Sequence, residues 1–294
     1  MTGSNFLTID LEDWHQAYKI RYATESQSVS RYFEQQMDSL LECLNGAKQK
    51  ATFFCLGKTA ESKPEIIRAL AAEGHDLQSH GFGHQRVGTL TPQQFREDLR
   101  KGKETIEDLS NRPVIGYRAP EFSLNAKTPW AWEVLAAVGF EYDSSVFPFH
   151  GTRYGWPGFP RHPVRVKLGN GTSLCEYPVF TTQVLGRTWP LGGGGYFRLI
   201  PEMLLLKGIQ RSTLTTRILY FHPYEFGNRF LDIREAAPHL SMLETWKINW
   251  MQNLFKKSIK RKVVSVLKRF PCSTLREYHE RQKPKSSILL SSIR

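Results

Sequence analysis

The sequence predicts an α/β fold on parallel strands, and three observations predict it. Short apolar runs rich in strand formers alternate with longer stretches of helical spacing. Five of the runs end in a chemistry-bearing residue: Asp10, His80, Arg118, Asp143 and His222. The unit of strand, polar residue and helix recurs about seven times, as parallel strands with helical crossovers produce in a barrel or an open doubly wound sheet. Ligands sit at the strands' C-terminal ends in both, so the five residues are expected on one rim.

Phe6-Leu7-Thr8-Ile9 reads as a buried strand, with Asp10, Glu12 and Asp13 at its C-terminal end. Residues 14–28 are polar and aromatic and read as a loop. Residues 29–44 carry apolar side chains at helical spacing, ended by Gly46. Residues 51–56 form a second strand, 58–73 a helix closed by Gly74, and 75–79 a third strand that delivers His80. Thr91-Pro92 opens a helix to Leu109, with an N-cap followed by proline at the first helical position. Strands follow at 114–117 and 140–142, separated by a helix over 129–138 that Gly139 ends. Residues 147–165 are rich in proline, glycine and aromatics and read as a long functional loop.

A sixth strand is expected over 174–178. Gly192 to Gly195 lack the spacing of a phosphate-binding loop and read as a loop that a substrate approaches closely. A helix over 201–207 precedes a strand over 217–221 that delivers His222. Residues 240–270 read as one or two helices, 273–275 as a last strand, and the residues after 282 as disordered. The chain shows no repeat and no composition break. It reads as one catalytic domain over 1–278, with a basic helical part over about 240–278, and a flexible tail over 279–294.

At 294 residues, 40% hydrophobic and 23% charged, the composition is that of a globular protein. No run of about 20 apolar residues exists, and the N-terminus lacks the pattern of a cleaved leader. The expectation is a cytoplasmic protein, peripheral at the inner membrane. The four cysteines, Cys43, Cys55, Cys175 and Cys272, are far apart and read as free thiols. The net charge of +12 suits an anionic partner, and its excess lies late, at Lys256-Lys257, Lys260 to Lys262 and Lys268-Arg269. With no nucleic-acid motif present, an anionic membrane surface is the expected partner of that region, and nucleic acid is not.

The chemistry centres on His80 and His84. On a helical turn or tight loop, four residues' separation aims two imidazoles at one point. A carboxylate from the N-terminal acids completes a three-ligand site with open positions, the catalytic type. A divalent metal there activates water and polarises a carbonyl. A second carboxylate can act as base and His222 as acid for a leaving amine. Asp143 could orient His222, and Arg118 could hold a carboxylate. The parts describe metal-assisted hydrolysis of an amide or ester. Zinc suits two histidines and a carboxylate, as do iron, cobalt, nickel and manganese.

These residues resemble the motifs of the polysaccharide deacetylase superfamily, carbohydrate esterase family four. Thr8 to Asp13 is similar to its first motif and Ser79 to His84 to its metal motif. Tyr117 to Phe122, Asp143 to Pro148 and Tyr220 to Pro223 resemble three further motifs, in order. Glu12-Asp13-Trp14, Gly193 to Arg198 and His222 to Glu225 look like a bacterial branch tied to exopolysaccharide biosynthesis. The resemblance spans roughly 5 to 278. It implies a distorted (β/α) barrel, usually of seven strands, and removal of the N-acetyl group from an amino sugar in a polysaccharide, an oligosaccharide or a lipid-linked precursor. It implies Asp10 as base, positioned by Arg118, and His222 as acid, oriented by Asp143. It implies one divalent ion, zinc, on His80, His84 and a carboxylate.

Leu11 stands where the family's metal carboxylate usually does. Glu12 is the expected ligand, with Asp13 the alternative, because on a regular strand Asp10 and Glu12 share a face. Pro120, Phe122, Gly194, Gly195 and Tyr196 are expected to meet the sugar. Two other functions remain open: hydrolysis of cyclic amides or ureides, and a carbohydrate-binding barrel without catalysis.

Overall fold

Seven parallel strands carry the fold in a computed structural model that describes residues 3–21, 29–151 and 153–292. In chain order the strands are β1 (Ser4–Leu11), β2 (Thr52–Cys55), β3 (Asp76–Ser79), β4 (Gly116–Tyr117), β5 (Tyr142–Asp143), β6 (Val164–Lys167) and β7 (Ser173–Glu176). There follow β8 (Thr181–Val184), β9 (Arg187–Pro190), β10 (Thr216–Phe221), β11 (Cys272–Ser273) and β12 (Ser287–Leu289). The parallel run is β10-β1-β2-β3-β4-β5-β7. β6 joins β7 antiparallel and β12 joins β6 parallel. β8 and β9 form a separate hairpin.

No ladder among the described residues closes the sheet into a barrel. Single backbone bonds bring the chain after β7 from β5 to β10. Tyr177 N donates to Asp143 O (2.8 Å), Phe180 N to Ile218 O (3.0 Å), and Tyr220 N to Gly192 O (2.6 Å).

The helices are α1 (Trp14–Arg21), α2 (Phe33–Gly46), α3 (Gly57–Ser62), α4 (Pro64–Ala72), α5 (Pro92–Ser110) and α6 (Ala131–Val138). After them come α7 (Gly194–Leu199), α8 (Glu202–Gln210), α9 (Met242–Asn253), α10 (Ser258–Arg269) and α11 (Leu275–Arg281). α5 shows how sequence makes structure here. Thr91 and Gln94 form a reciprocal capping box, Pro92 sits in the first turn, and Asn111 ends the helix in the left-handed conformation. Phe95, Leu99, Gly102 and Ile106 form its buried stripe. A Cβ on Gly102 would lie 2.9 Å from the Gly81 carbonyl, so glycine lets α5 touch the loop that carries the two histidines.

Several expectations change. Residues 14–21 are helical: Trp14, Ala17 and Tyr18 form one face packed on Ile233 and Ala237. The rest of that expected loop, 22–28, lies outside the described residues. The helix expected over 58–73 is two, because Pro64 starts a new one. β6, β8 and β9 were not anticipated. The expected tail carries β12, whose Ile288 packs against the core while its backbone pairs with β6. The cysteines are free, and Cys272 alone is only partly buried.

No described helix is long and apolar enough to cross a membrane.

Candidate active site

The C-terminal ends of β1, β3 and β10 deliver expected side chains to one cleft of about 630 Å³. Asp10, Glu12, His80, His84 and His222 line it. Glu12, His80 and His84 each offer one ligand atom, and the three atoms lie within 4.8 Å of one another. Among the described residues this is the one group of three or more such side chains placed to hold a metal ion. Glu12 Oε2 touches His84 Nε2 and stands 3.8 Å from His80 Nε2.

The donor set fits a divalent metal. His80 Nδ1 lies 2.8 Å from the Arg118 carbonyl, which can only accept. The proton therefore sits on Nδ1, and the Nε2 lone pair faces Glu12. Burial holds His80 neutral, pushing its pKa down to about 3. Burial alone would raise the Glu12 carboxyl, but His84, His222 and His80 outweigh it and keep it below its ordinary value.

The two histidines sit in a loop, not on a helical turn. Gly81 and His84 both take positive φ, +75° and +56°. The loop is strapped to α5 by Asp98, which accepts from Phe82 N (2.9 Å) and Gly83 N (2.8 Å). Asp98 was missed in the sequence, where a lone acid on a polar helix face carries no signal.

Asp13 does not join the cluster. Its carboxyl turns away and accepts from Ser30 N (2.5 Å) and Ser30 Oγ (3.3 Å). Burial pushes it up to about 6.

Arg118 is fully buried and clamps Asp10. Its Nη1 donates to Asp10 Oδ1 (2.7 Å) and Thr8 Oγ1 (2.7 Å). Nε and Nη2 donate to Ser144 O (3.0 Å) and Ser144 Oγ (2.9 Å), and the guanidinium lies 4.2 Å over the Phe54 ring. Asp10 Oδ2 is left toward the cleft, 3.9 Å from His222 Nε2.

The expected Asp143–His222 pair is corrected. Asp143 is buried away from the cleft, accepts from Trp132 Nε1 (2.9 Å) and Ser145 Oγ, and shares its surroundings with Glu176. Burial raises both acids. His222 Nδ1 instead meets Glu225 Oε2 at 3.1 Å. Glu225 also accepts from His222 N (3.0 Å), so two bonds set the ring's orientation, and Tyr224 stacks on it at 4.7 Å. Burial would lower His222, but Glu225, Glu12 and Asp10 carry it above its ordinary value. Glu225 follows His222 by three residues in a short 3-10 turn, a spacing visible in the sequence and passed over there.

Phe122, Gly194, Gly195 and Tyr196 line the cleft, while Pro120 is buried outside it and opens the turn that carries Phe122.

Residues 24–142 match the family described as Polysaccharide deacetylase, and residues 144–279 a Domain of unknown function (DUF3473). A peptidoglycan deacetylase of Helicobacter pylori is 32% identical over 127 residues, 43% of this chain and 39% of the relative. A peptidoglycan-N-acetylglucosamine deacetylase of Bacillus cereus is 34% identical over 83 residues, 28% of each. The chain thus spans about two fifths or less of these relatives. The crystal structure of a Mycobacterium smegmatis protein assigned to the polysaccharide deacetylases covers 97% of this chain and 96% of that one. Its TM-score is 0.54 at 20% identity, a likeness of fold.

Proposed function

The chain belongs to the polysaccharide deacetylase superfamily, and from that premise we propose that it is a metal-dependent hydrolase that removes the N-acetyl group from an amino sugar of a glycan. The observation that carries the reading is one buried cluster, Glu12, His80 and His84, with His222 Nε2 3.4 Å from Glu12 Oε1 and 3.9 Å from Asp10 Oδ2.

A divalent ion held by Glu12, His80 and His84, which we take to be zinc, would acidify water and polarise the acetyl carbonyl. Asp10 takes the proton of the attacking water on Oδ2, because Arg118 occupies Oδ1. His222 gives its Nε2 proton to the departing amine, while Glu225 holds the Nδ1 end and favours the charged ring. Water adds to the carbonyl carbon, the C–N bond breaks, and acetate and a free amine leave. Phe122 and Tyr196 offer ring faces to the sugar, and Gly194 and Gly195 let its backbone come close.

The test is acetate release from free and lipid-linked N-acetylated sugars, with metal analysis of the same preparation. Acetate release that stops on chelation and returns with zinc supports the reading. A protein that holds no metal and releases no acetate overturns it, and turnover of small cyclic amides alone redirects it to that chemistry.

A further inference from the structure

α9 is built inside out. Beside Ile248, which packs on the cluster of Leu231 and Ile233, its inward face is polar. Asn249 accepts from Ile233 N (2.7 Å) and donates to Asp232 Oδ1 (3.0 Å). Asn253, one turn on, accepts from Leu231 N (2.8 Å) and donates to Leu231 O (2.9 Å). Four directional bonds thus fix the rotation of the helix.

Its apolar face turns to water: Met242, Leu243, Trp246 and Trp250 are 91%, 75%, 65% and 54% exposed. Their spacing places them on one stripe, and the two tryptophan rings stack 15° apart. An apolar stripe normally faces the core. Here no residue of α9 is fully buried. Phe255, just beyond, is exposed with φ +54°, a conformation that disfavours a bulky residue.

The stripe runs into the cleft. Trp250 and Met251 line it together with Tyr196 and Leu199 of α7, all four exposed. Arg198 locks α7 to α9 by donating to Met251 O (2.8 Å) and Gln252 O (2.6 Å). Charge follows the same segment: Lys247 and Lys257 are exposed, Lys260 and Arg261 reach the surface paired with Glu42 and Glu202, and Glu244 is the one acid from Ser241 to Lys262, while Lys256 and Lys262 are buried on backbone carbonyls.

We propose that this face docks on a bilayer containing anionic lipid and sets the cleft mouth at the headgroups. Tryptophans at headgroup level, aliphatic side chains beneath and lysines beside them are what an interfacial helix presents. Two copies meeting through this face would oppose like charges, which disfavours a dimer there. The substrate class that follows, an N-acetylated amino sugar on a lipid carrier, rests on the deacetylase reading above.

The test is flotation with vesicles of phosphatidylethanolamine and phosphatidylglycerol. The full chain is expected to float with them, less at high salt, and several-fold less with phosphatidylcholine alone. The variant Met242→Ser/Leu243→Ser/Trp246→Ser, none of which lines the cleft, is expected to lose binding by about tenfold or more. Its thermal unfolding and its acetate release from soluble oligosaccharides should match wild type. The proposal is overturned if wild type does not float or if the triple variant floats equally. It is also overturned if sedimentation shows a wild-type dimer that the variant makes monomeric, which would make the face a self-association surface. Flotation without acetate release from any sugar leaves the docking in place and removes the substrate class.

Discussion

Two adjacent acids, Glu12 and Asp13, are both buried, yet they face different partners. Glu12 meets three imidazoles, whereas Asp13 meets the Ser30 backbone. Glu12→Ala is therefore expected to abolish metal binding, because two histidines alone make a weak site. Asp13→Ala should keep full metal content and lose roughly 1–3 kcal/mol of stability, from the orphaned Ser30 N–H. Metal analysis and urea unfolding on both variants separate the two roles, and metal retained by the Glu12 variant would move the ligand elsewhere. Glu225 and Asp143 form a second contrast. Glu225 touches the His222 ring and Asp143 does not. Glu225→Gln is expected to lower kcat by roughly 10–100-fold with metal content and Tm near wild type. Asp143→Ala should act through folding, since it strips Trp132 Nε1 and Ser145 of a buried acceptor. Equal losses of kcat at unchanged Tm in both would contradict this division.

At the level of elements, the histidine pair is precise only because α5 holds its loop. Asp98 accepts two loop N–H groups, and Gly102 lets the loop lie on the helix. Asp98→Ala should weaken metal affinity by about 10–100-fold without touching a ligand, as removal of a supporting bond does. Competition with a chelator measures this, and unchanged affinity would mean that packing alone sets the loop. The strand-ending residues were legible because a strand's end fixes where its next side chain points: Asp10, His80 and His222 line the cleft, and Arg118 is buried behind it on Asp10. Asp98 and Glu176 were not legible, since each acts through a contact distant in sequence. α1 was obscured by polar residues between Trp14, Ala17 and Tyr18, whose spacing only the cluster around Ile233 and Ala237 explains. The short strands β6, β8 and β9 lie in a stretch of proline and glycine where local propensity points to loop and pairing decides otherwise.

For the molecule as a whole, acid stability turns on buried groups that titrate in opposite senses. His75 lies fully buried at the start of β3, where Nδ1 accepts from Ala51 N (3.2 Å). Burial, with Lys50 nearby, pushes it down to about 4. In the unfolded chain it titrates near 6.5. Between those values the unfolded state binds the extra proton, so stability is complete above about 6.5 and drains away as pH falls to about 4. The full span is worth roughly 3 kcal/mol. Asp13 runs the other way. Burial raises it to about 6, so the native state takes up its proton first and gains stability as pH falls through that window. His80, held down to about 3, titrates in the same sense as His75, so in the wild type Asp13 offsets only part of the acid loss. His75→Gln keeps an acceptor for Ala51 N and removes that one titration, leaving His80 and Asp13 as they are. Urea midpoints at the two pH values are expected to fall clearly less for His75→Gln than for wild type. An equal fall in both would show that some other buried group carries the acid sensitivity.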